Sequence, residues 1–204
     1  MNVNFSDYSA NQRYHLMTQT IIPRPIAWAL TDSGNATYNL APFSYFTAVS
    51  SSPPILMLSV GKKPNGDDKD TLVNVVKNKK LVIHIASEQQ ANLVTQTAAT
   101  LAHGESELTA TRITTTNFEN FSLPRIEQCD IAYGCELYEI KKLGDVPQNL
   151  IFVEVKQVYI NDKVANIDNK QRIKVHADKV QPLARLGGGE YSAITKPFTI
   201  VRPS

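Results

Sequence analysis

Apolar residues in this chain come mostly in short bursts of strand length. Residues 25–31 (PIAWALT) stop at Asp32-Ser33-Gly34-Asn35, a strong turn signal. Residues 39–50 (NLAPFSYFTAVS) alternate large and small side chains and predict a second strand, broken by the SSSPP run at 50–54. Residues 55–60 (ILMLSV) read as a strand buried on both faces, and 81–86 (LVIHIA) as another. Residues 131–140 and 150–160 are long and rich in Tyr, Ile and Val, as antiparallel barrel strands are. Residues 197–201 (PFTIV) predict a last strand that closes the sheet.

Two segments predict helices. After Lys69-Asp70-Thr71, the spacing of Leu72, Val75 and Val76 marks one apolar face, with Asp70 or Thr71 as N-cap. Residues 88–101 place Ala91, Val94, Thr95, Ala98 and Leu101 on one side, with Gln and Asn opposite. Strands outnumber helices and do not alternate with them, which excludes a doubly wound fold. The expected fold is mainly β: a β-barrel with two or three inserted helices, formed by residues 1–204 as one domain. Residues 103–128 are rich in Thr and poor in large apolar residues before Phe118, Phe121 and Leu123. A connection of that length predicts a functional loop or a partner-covering arm.

Composition narrows the class. With 204 residues, 42% hydrophobic and 20% charged, the chain is ordinary globular material. Surface scaling gives about 9,500 Å² folded against about 33,000 Å² unfolded, so roughly 70% is buried and no disulfide or metal is needed. A net charge of +2 is too small for a nucleic-acid footprint. Cys129 and Cys135 form no C-x-x-C pair and have no histidine at metal-ligand spacing, so neither a disulfide framework nor a metal site is expected. No signal peptide opens the chain, and no apolar run approaches the ~18 residues a membrane span needs. The expectation is a soluble, cytoplasmic protein without nucleic acid or membrane partners.

The motifs of familiar enzymes are missing. Gly187-Gly188-Gly189 lacks the spacing of a dinucleotide fingerprint, and no phosphate loop, G-x-S-x-G or H-E-x-x-H occurs. Four short motifs remain, each with a plain structural reading of its own. Pro23-Arg24-Pro25 holds an arginine between two rigid residues, where its planar fork suits phosphate, or where it merely enters a strand. In Asn39-Leu40-Ala41-Pro42-Phe43-Ser44-Tyr45, Pro42 implies an edge, a bulge or a ligand-facing rim, and small residues let a planar ligand approach. Ser50-Ser51-Ser52-Pro53-Pro54 offers hydroxyls and backbone N–H groups, or an ordinary turn. Lys69-Asp70-Thr71 opens a helix whose N-terminus attracts anions, or is simply capped. Together they suit a flat heterocycle carrying one phosphate. His84 reads as a satisfied or interface histidine, Trp28 and Tyr45 as packing residues, and Cys135 as a small core residue. Glu105 and Glu107 read as solvated or as dimer contacts.

The run 22–28 (IPRPIAW), then 39–46 (NLAPFSYF), 50–54 (SSSPP) and Lys69-Asp70-Thr71, resembles the flavin reductase-like, FMN-binding split-barrel family, which includes flavoredoxin-type proteins and small flavin reductase components. The resemblance continues through His103-Gly104-Glu105-Ser106-Glu107, residues 151–155, and residues 181–191 (QPLARLGGGEY). It implies a split-barrel homodimer with one flavin per subunit near the interface. By position, Asn39, Ala41, Pro42, Phe43 and Ser44 would line the isoalloxazine, and Ser50, Ser51 and Ser52 would touch its polar edge or ribityl chain. Lys69 and Thr71, with Arg24, would hold the phosphate, and residues 187–191 would lie near the outer ring face. The implied activity is an FMN-dependent oxidoreductase that passes electrons from NAD(P)H, a transient donor, to free flavin, a partner oxygenase or another acceptor. FAD replaces FMN if the site opens past the phosphate. No protein acid or base is required for hydride transfer, so no catalytic residue is expected. The alternatives are a non-enzymatic flavin-binding electron carrier and a pyridoxamine-phosphate oxidase-like flavin oxidase.

Overall fold

In the computed structural model, which describes residues 1–34, 36–101, 105–201 and 203, seven strands form one antiparallel sheet. They are β1 (Ala27–Gly34), β2 (Thr37–Phe43), β3 (Phe46–Ser51), β4 (Pro54–Val60), β5 (Lys80–Ile85), β6 (Ile131–Leu143) and β7 (Gln148–Ile160), in spatial order β2-β1-β5-β6-β7-β4-β3. Phe43, near one edge, and Leu58, near the other, share one apolar cluster with Ala27, Ala29, Val75, Ile83, Cys135 and Ile151. The sheet has therefore rolled around that cluster as a barrel does. Alternation along β1 makes the second core. Ala27 and Ala29 face the barrel interior, while Trp28 and Leu30 join Leu40, Val82, Val94 and Ile126 on the outer face.

Among the described residues five helices lie around the sheet: α1 (Ala10–Thr20), α2 (Asp70–Asn78), α3 (Ala91–Gln96), α4 (Glu107–Thr111) and α5 (Ala177–Val180). Helix α2 packs on β1 and sends Leu72 and Val75 into the barrel, but its Val76 points to water. Its N-cap is Lys69, one residue earlier than the apolar pattern indicates, and no side chain caps it.

The structure departs from the sequence expectations in four elements. Residues 39–50 form two strands, because the chain crosses from one sheet edge to the other at Ser44-Tyr45, where the Tyr45 carbonyl accepts from Ser59 N at 2.9 Å. The helix expected over 88–101 is a 3-10 turn, Glu88–Gln90, followed by the short α3. It stops at Thr97, whose hydroxyl accepts from Trp28 Nε1 at 2.9 Å and donates to the Val94 carbonyl at 3.0 Å. Residues 197–201 form no strand and lie exposed. Helix α1 has no apolar periodicity to announce it, and its signal is the capping box of Ser9 and Gln12.

The long connection is an arm folded onto the sheet. Its histidine and first glycine, His103 and Gly104, lie outside the described residues, as does Asn35 of the first turn. From Glu105 onward the arm buries Leu108, Ile113, Phe118, Leu123 and Ile126 against the Trp28 side of the sheet. Among the described residues no helix is long and apolar enough to cross a membrane.

Candidate functional site

The loop before α2 builds one wall of a cleft. Its turn is closed by Lys63 N donating to the Asp67 carbonyl at 2.8 Å, with Gly66 at φ +89°. This brings Lys63 and Lys69 to the same opening, with Asp70 between them. Asp70 pairs with Lys63 at 2.8 Å. Among the described residues Lys69 makes no ion pair; its ammonium stands 5.4 Å from the centre of the Phe43 ring. Burial pulls its pKa down, because a partly desolvated ammonium with no counter-ion is costly.

The floor comes from β2 and from the first turn of α2. Asn39 donates its amide to Thr71 Oγ1 at 3.0 Å, and Asn74 on the next turn donates to Thr31 Oγ1 at 3.0 Å. Ala41 and Pro42 continue this floor. The opposite wall is the segment from Thr97 to Leu101, held by the Trp28–Thr97 bond. The resulting cavity, about 80 Å³ and open to solvent, is also lined by Glu107.

Glu107 corrects the expectation of a solvated carboxylate. It is 6% exposed, and its Oε2 accepts from Leu40 N at 2.9 Å. The carboxylate thus satisfies a donor of the edge strand β2, while Ser106 Oγ donates to the Tyr38 carbonyl at 2.6 Å. Burial pushes the pKa of Glu107 up, opposed by the Leu40 N–H. A contact 67 positions away in sequence left no local signal. The Thr97–Leu101 wall was missed for the same reason, and Lys63 because only the turn closed by Asp67 brings it to the cleft.

Five of the expected site residues, Asn39, Ala41, Pro42, Lys69 and Thr71, therefore meet in one cleft. The others lie elsewhere. Phe43 packs into the barrel core beneath Lys69. Arg24 is 5% exposed and spends its guanidinium on the protein. It donates to the carbonyls of Thr18 at 2.6 Å, Ile21 at 2.7 Å and Leu186 at 2.7 Å, and to Ser44 Oγ at 3.4 Å. It ties the C-terminal end of α1 to the loop at 186. Ser44 lies with Arg24 beside a separate apolar groove. Ser50 and Ser51 are exposed on β3, an edge of the sheet, and Ser52 follows them, donating its N–H to Ser50 Oγ at 3.2 Å. The glycines at 187–189 form a tight turn next to Gln19 of α1, outside the cleft. Among the described residues no cluster of His, Cys, Asp or Glu could hold a metal ion.

A model of the flavin reductase like domain matches residues 17–175, most of the chain. The chain belongs to the flavin reductase-like family. A Bacillus subtilis member, the protein YwrF, is 34% identical over 200 residues, covering 96% of each chain. The structure of nitrilotriacetate monooxygenase component B from Bacillus cereus superposes with a TM-score of 0.88 at 30% identity, covering 98% of both chains. That of the 2-nitrobenzoate 2-nitroreductase of Pseudomonas fluorescens gives 0.86 at 26% identity, covering 100% of this chain and 96% of that one. Flavoredoxin of Desulfovibrio vulgaris shares the fold at 15% identity, with a TM-score of 0.73 over 88% and 91% of the two chains. The rolled sheet with few helices is thus the split barrel of flavin reductases.

Proposed function

We infer that the cleft binds FMN and that the protein is an NAD(P)H-dependent flavin reductase or flavin-using oxidoreductase. The observation that carries this is the Lys69–Thr71 corner. A half-buried lysine with no carboxylate partner among the described residues stands at the uncapped N-terminus of the nine-residue α2, beside a threonine hydroxyl. A phosphate there would offset the desolvation of Lys69 and meet the positive end of the helix. Thr71 already accepts from Asn39, so its own proton is directed away from that bond and toward an acceptor. Ala41 and Pro42 supply a smooth strip beside this corner on which a planar ring can lie. When bound, the flavin supplies the two-electron chemistry. The chain's residues anchor the phosphate, present the ring and keep the floor of the cleft dry.

Arg24 belongs to a different task in this reading. Its donors hold α1 in place, and we put the phosphate at Lys69 and Thr71. The serines at 50–52 stand on a free sheet edge, where a ligand's polar rim or a second protomer can reach them. A partner oxygenase as acceptor is supported by the 30% identity to a monooxygenase's component B, and the homodimer rests on the family resemblance alone. The similarity to a nitroreductase supports small organic acceptors as well.

Replacing Lys69 by Met together with Thr71 by Val tests the corner. FMN affinity should fall at least tenfold, the loss of one or two charge-assisted bonds, while riboflavin affinity changes little. Equal losses for both ligands would remove the phosphate from this corner. Anaerobic mixing of the FMN-loaded protein with NADH or NADPH should bleach the flavin within seconds. A flavin that stays oxidised would identify an electron carrier instead.

A further inference from the structure

Lys63, Lys69 and Asp70 crowd the mouth of the cleft, and all of them line it. The loop that carries Lys63 is fixed by its own bonds. Lys62 and Asp68 face each other across it and pair at 2.6 Å, and the Lys63 carbonyl accepts from Gly66 N at 2.9 Å. Lys63 is thus delivered to one place, where its ammonium meets Asp70 Oδ2 at 2.8 Å with only 15% and 23% of the two side chains exposed. Salt screens a pair sheltered to that degree less than a surface pair, so its charges act on whatever enters beside them.

Those charges are felt across the cleft. Burial is the main reason that Glu107 holds its proton more tightly than usual; the Asp70 carboxylate adds to that, and the Lys63 ammonium opposes it. Asp70 is also the first residue of α2, between the N-cap Lys69 and Thr71. A carboxylate in the first turn takes up part of the positive end of the helix, the same field that favours a bound phosphate. Asp70 therefore engages both Lys63 and the helix end, which a phosphate would otherwise use. A phosphate monoester carries about −1.5 to −2 charge at pH 7, more than Lys69 alone can balance.

We propose that Asp70 is a specificity-determining residue of the cleft: by holding Lys63 and meeting the ligand's phosphate with a like charge, it limits how far FMN is preferred over riboflavin. The proposal rests on the flavin reading above and adds to it the group that restrains the binding. Two lysines stand at the mouth, but Asp70 leaves the phosphate only Lys69 and the Thr71 hydroxyl. Removing the Asp70 charge frees Lys63 and lifts the repulsion together. Removing Lys63 leaves Asp70 unpaired and makes the repulsion worse. The two substitutions therefore act in opposite directions on FMN and cancel when combined. A Lys63 that bound the phosphate directly, with Asp70 holding it in position, would give a loss in every case.

Titration of flavin fluorescence with the full chain reads both affinities side by side. Asp70→Asn removes the charge and keeps the shape; it should tighten FMN about tenfold and leave riboflavin unchanged. Lys63→Met should weaken FMN about tenfold, again without effect on riboflavin. The double variant should return to within about threefold of the unsubstituted protein. The gain in Asp70→Asn should shrink as salt is added. Weaker or unchanged FMN binding in Asp70→Asn would overturn the proposal. So would equal shifts for FMN and riboflavin, or a double variant as tight as Asp70→Asn alone. If circular dichroism shows that Asp70→Asn does not fold, Lys63→Met decides, and unchanged or tighter FMN overturns the role of Asp70. The unsubstituted protein separates the two readings. If it binds neither flavin, the flavin reading falls; if it binds FMN and both single variants match it, only the role of Asp70 falls.

Discussion

His84 shows how much one buried residue can report. It is fully buried, with Nδ1 3.0 Å from the Trp28 carbonyl and Nε2 accepting from Ile126 N at 2.9 Å. Those partners require a neutral ring with its proton on Nδ1. Burial, against the favourable Trp28 bond, pulls its pKa down to about 4. The unfolded chain, with an ordinary value near 6.5, binds the proton first as pH falls. Stability from this group is thus complete above about pH 6.5 and is lost as pH drops toward 4. Urea unfolding should show about 2 kcal/mol less stability at pH 5 than at pH 7 from this site. His84→Gln, whose amide can donate to one partner and accept from the other, should lose that increment. Parallel pH profiles for the two proteins would contradict the assignment. The period-two pattern around residue 84 already placed this side chain opposite Ile83 and Ile85. The sequence held no sign of the Ile126 N–H that fixes the tautomer, since the arm closes over it only in three dimensions.

At the scale of elements, what local pattern can encode was readable. The strands at 55–60, 81–86 and 150–160 and the helix after Lys69 lie where apolar runs and turn residues put them. The misses have physical reasons. Helix α1 is almost wholly polar and buries only Thr18; capping and the Arg24 tie, not an apolar face, hold it. The strand pattern of residues 197–201 is real, but among the described residues it pairs with no ladder partner. Arg24 looked like an anion grip because its motif is silent about the three carbonyls that surround it. Half of the candidate site was legible because Asn39, Ala41, Pro42, Lys69 and Thr71 come in two short motifs. The walls at Thr97–Leu101 and Glu107 were not, being distant in sequence from those motifs, and Lys63 reaches the opening only through the turn before α2. The arm over the outer face is closely fitted. A Cβ on Gly134 of β6 would stand 2.9 Å from the Phe121 ring. Gly134→Ala should therefore cost about 1–3 kcal/mol and speed amide hydrogen exchange across residues 105–128. Unchanged exchange there would mean that the arm is not packed on β6.

For the whole molecule, a rolled antiparallel sheet has two edge strands, of which β2 is partly capped by Glu107 and Ser106. The cleft sits beside one, β2, and the exposed serines lie on the other, β3. This arrangement explains how a chain with no nucleotide fingerprint can serve redox chemistry. On the function proposed, the barrel would supply rigid placement, the N-terminus of α2 the positive end, and the open cleft a path by which a reductant and then an acceptor would reach a bound ring in turn. The central claim is that this corner and strip hold a flavin monophosphate. The most direct measurement is the visible absorption spectrum of the purified protein after incubation with excess FMN and gel filtration, with the released chromophore weighed by mass spectrometry. Flavin bands at one FMN per chain are the predicted result. A folded protein that elutes colourless would contradict the account.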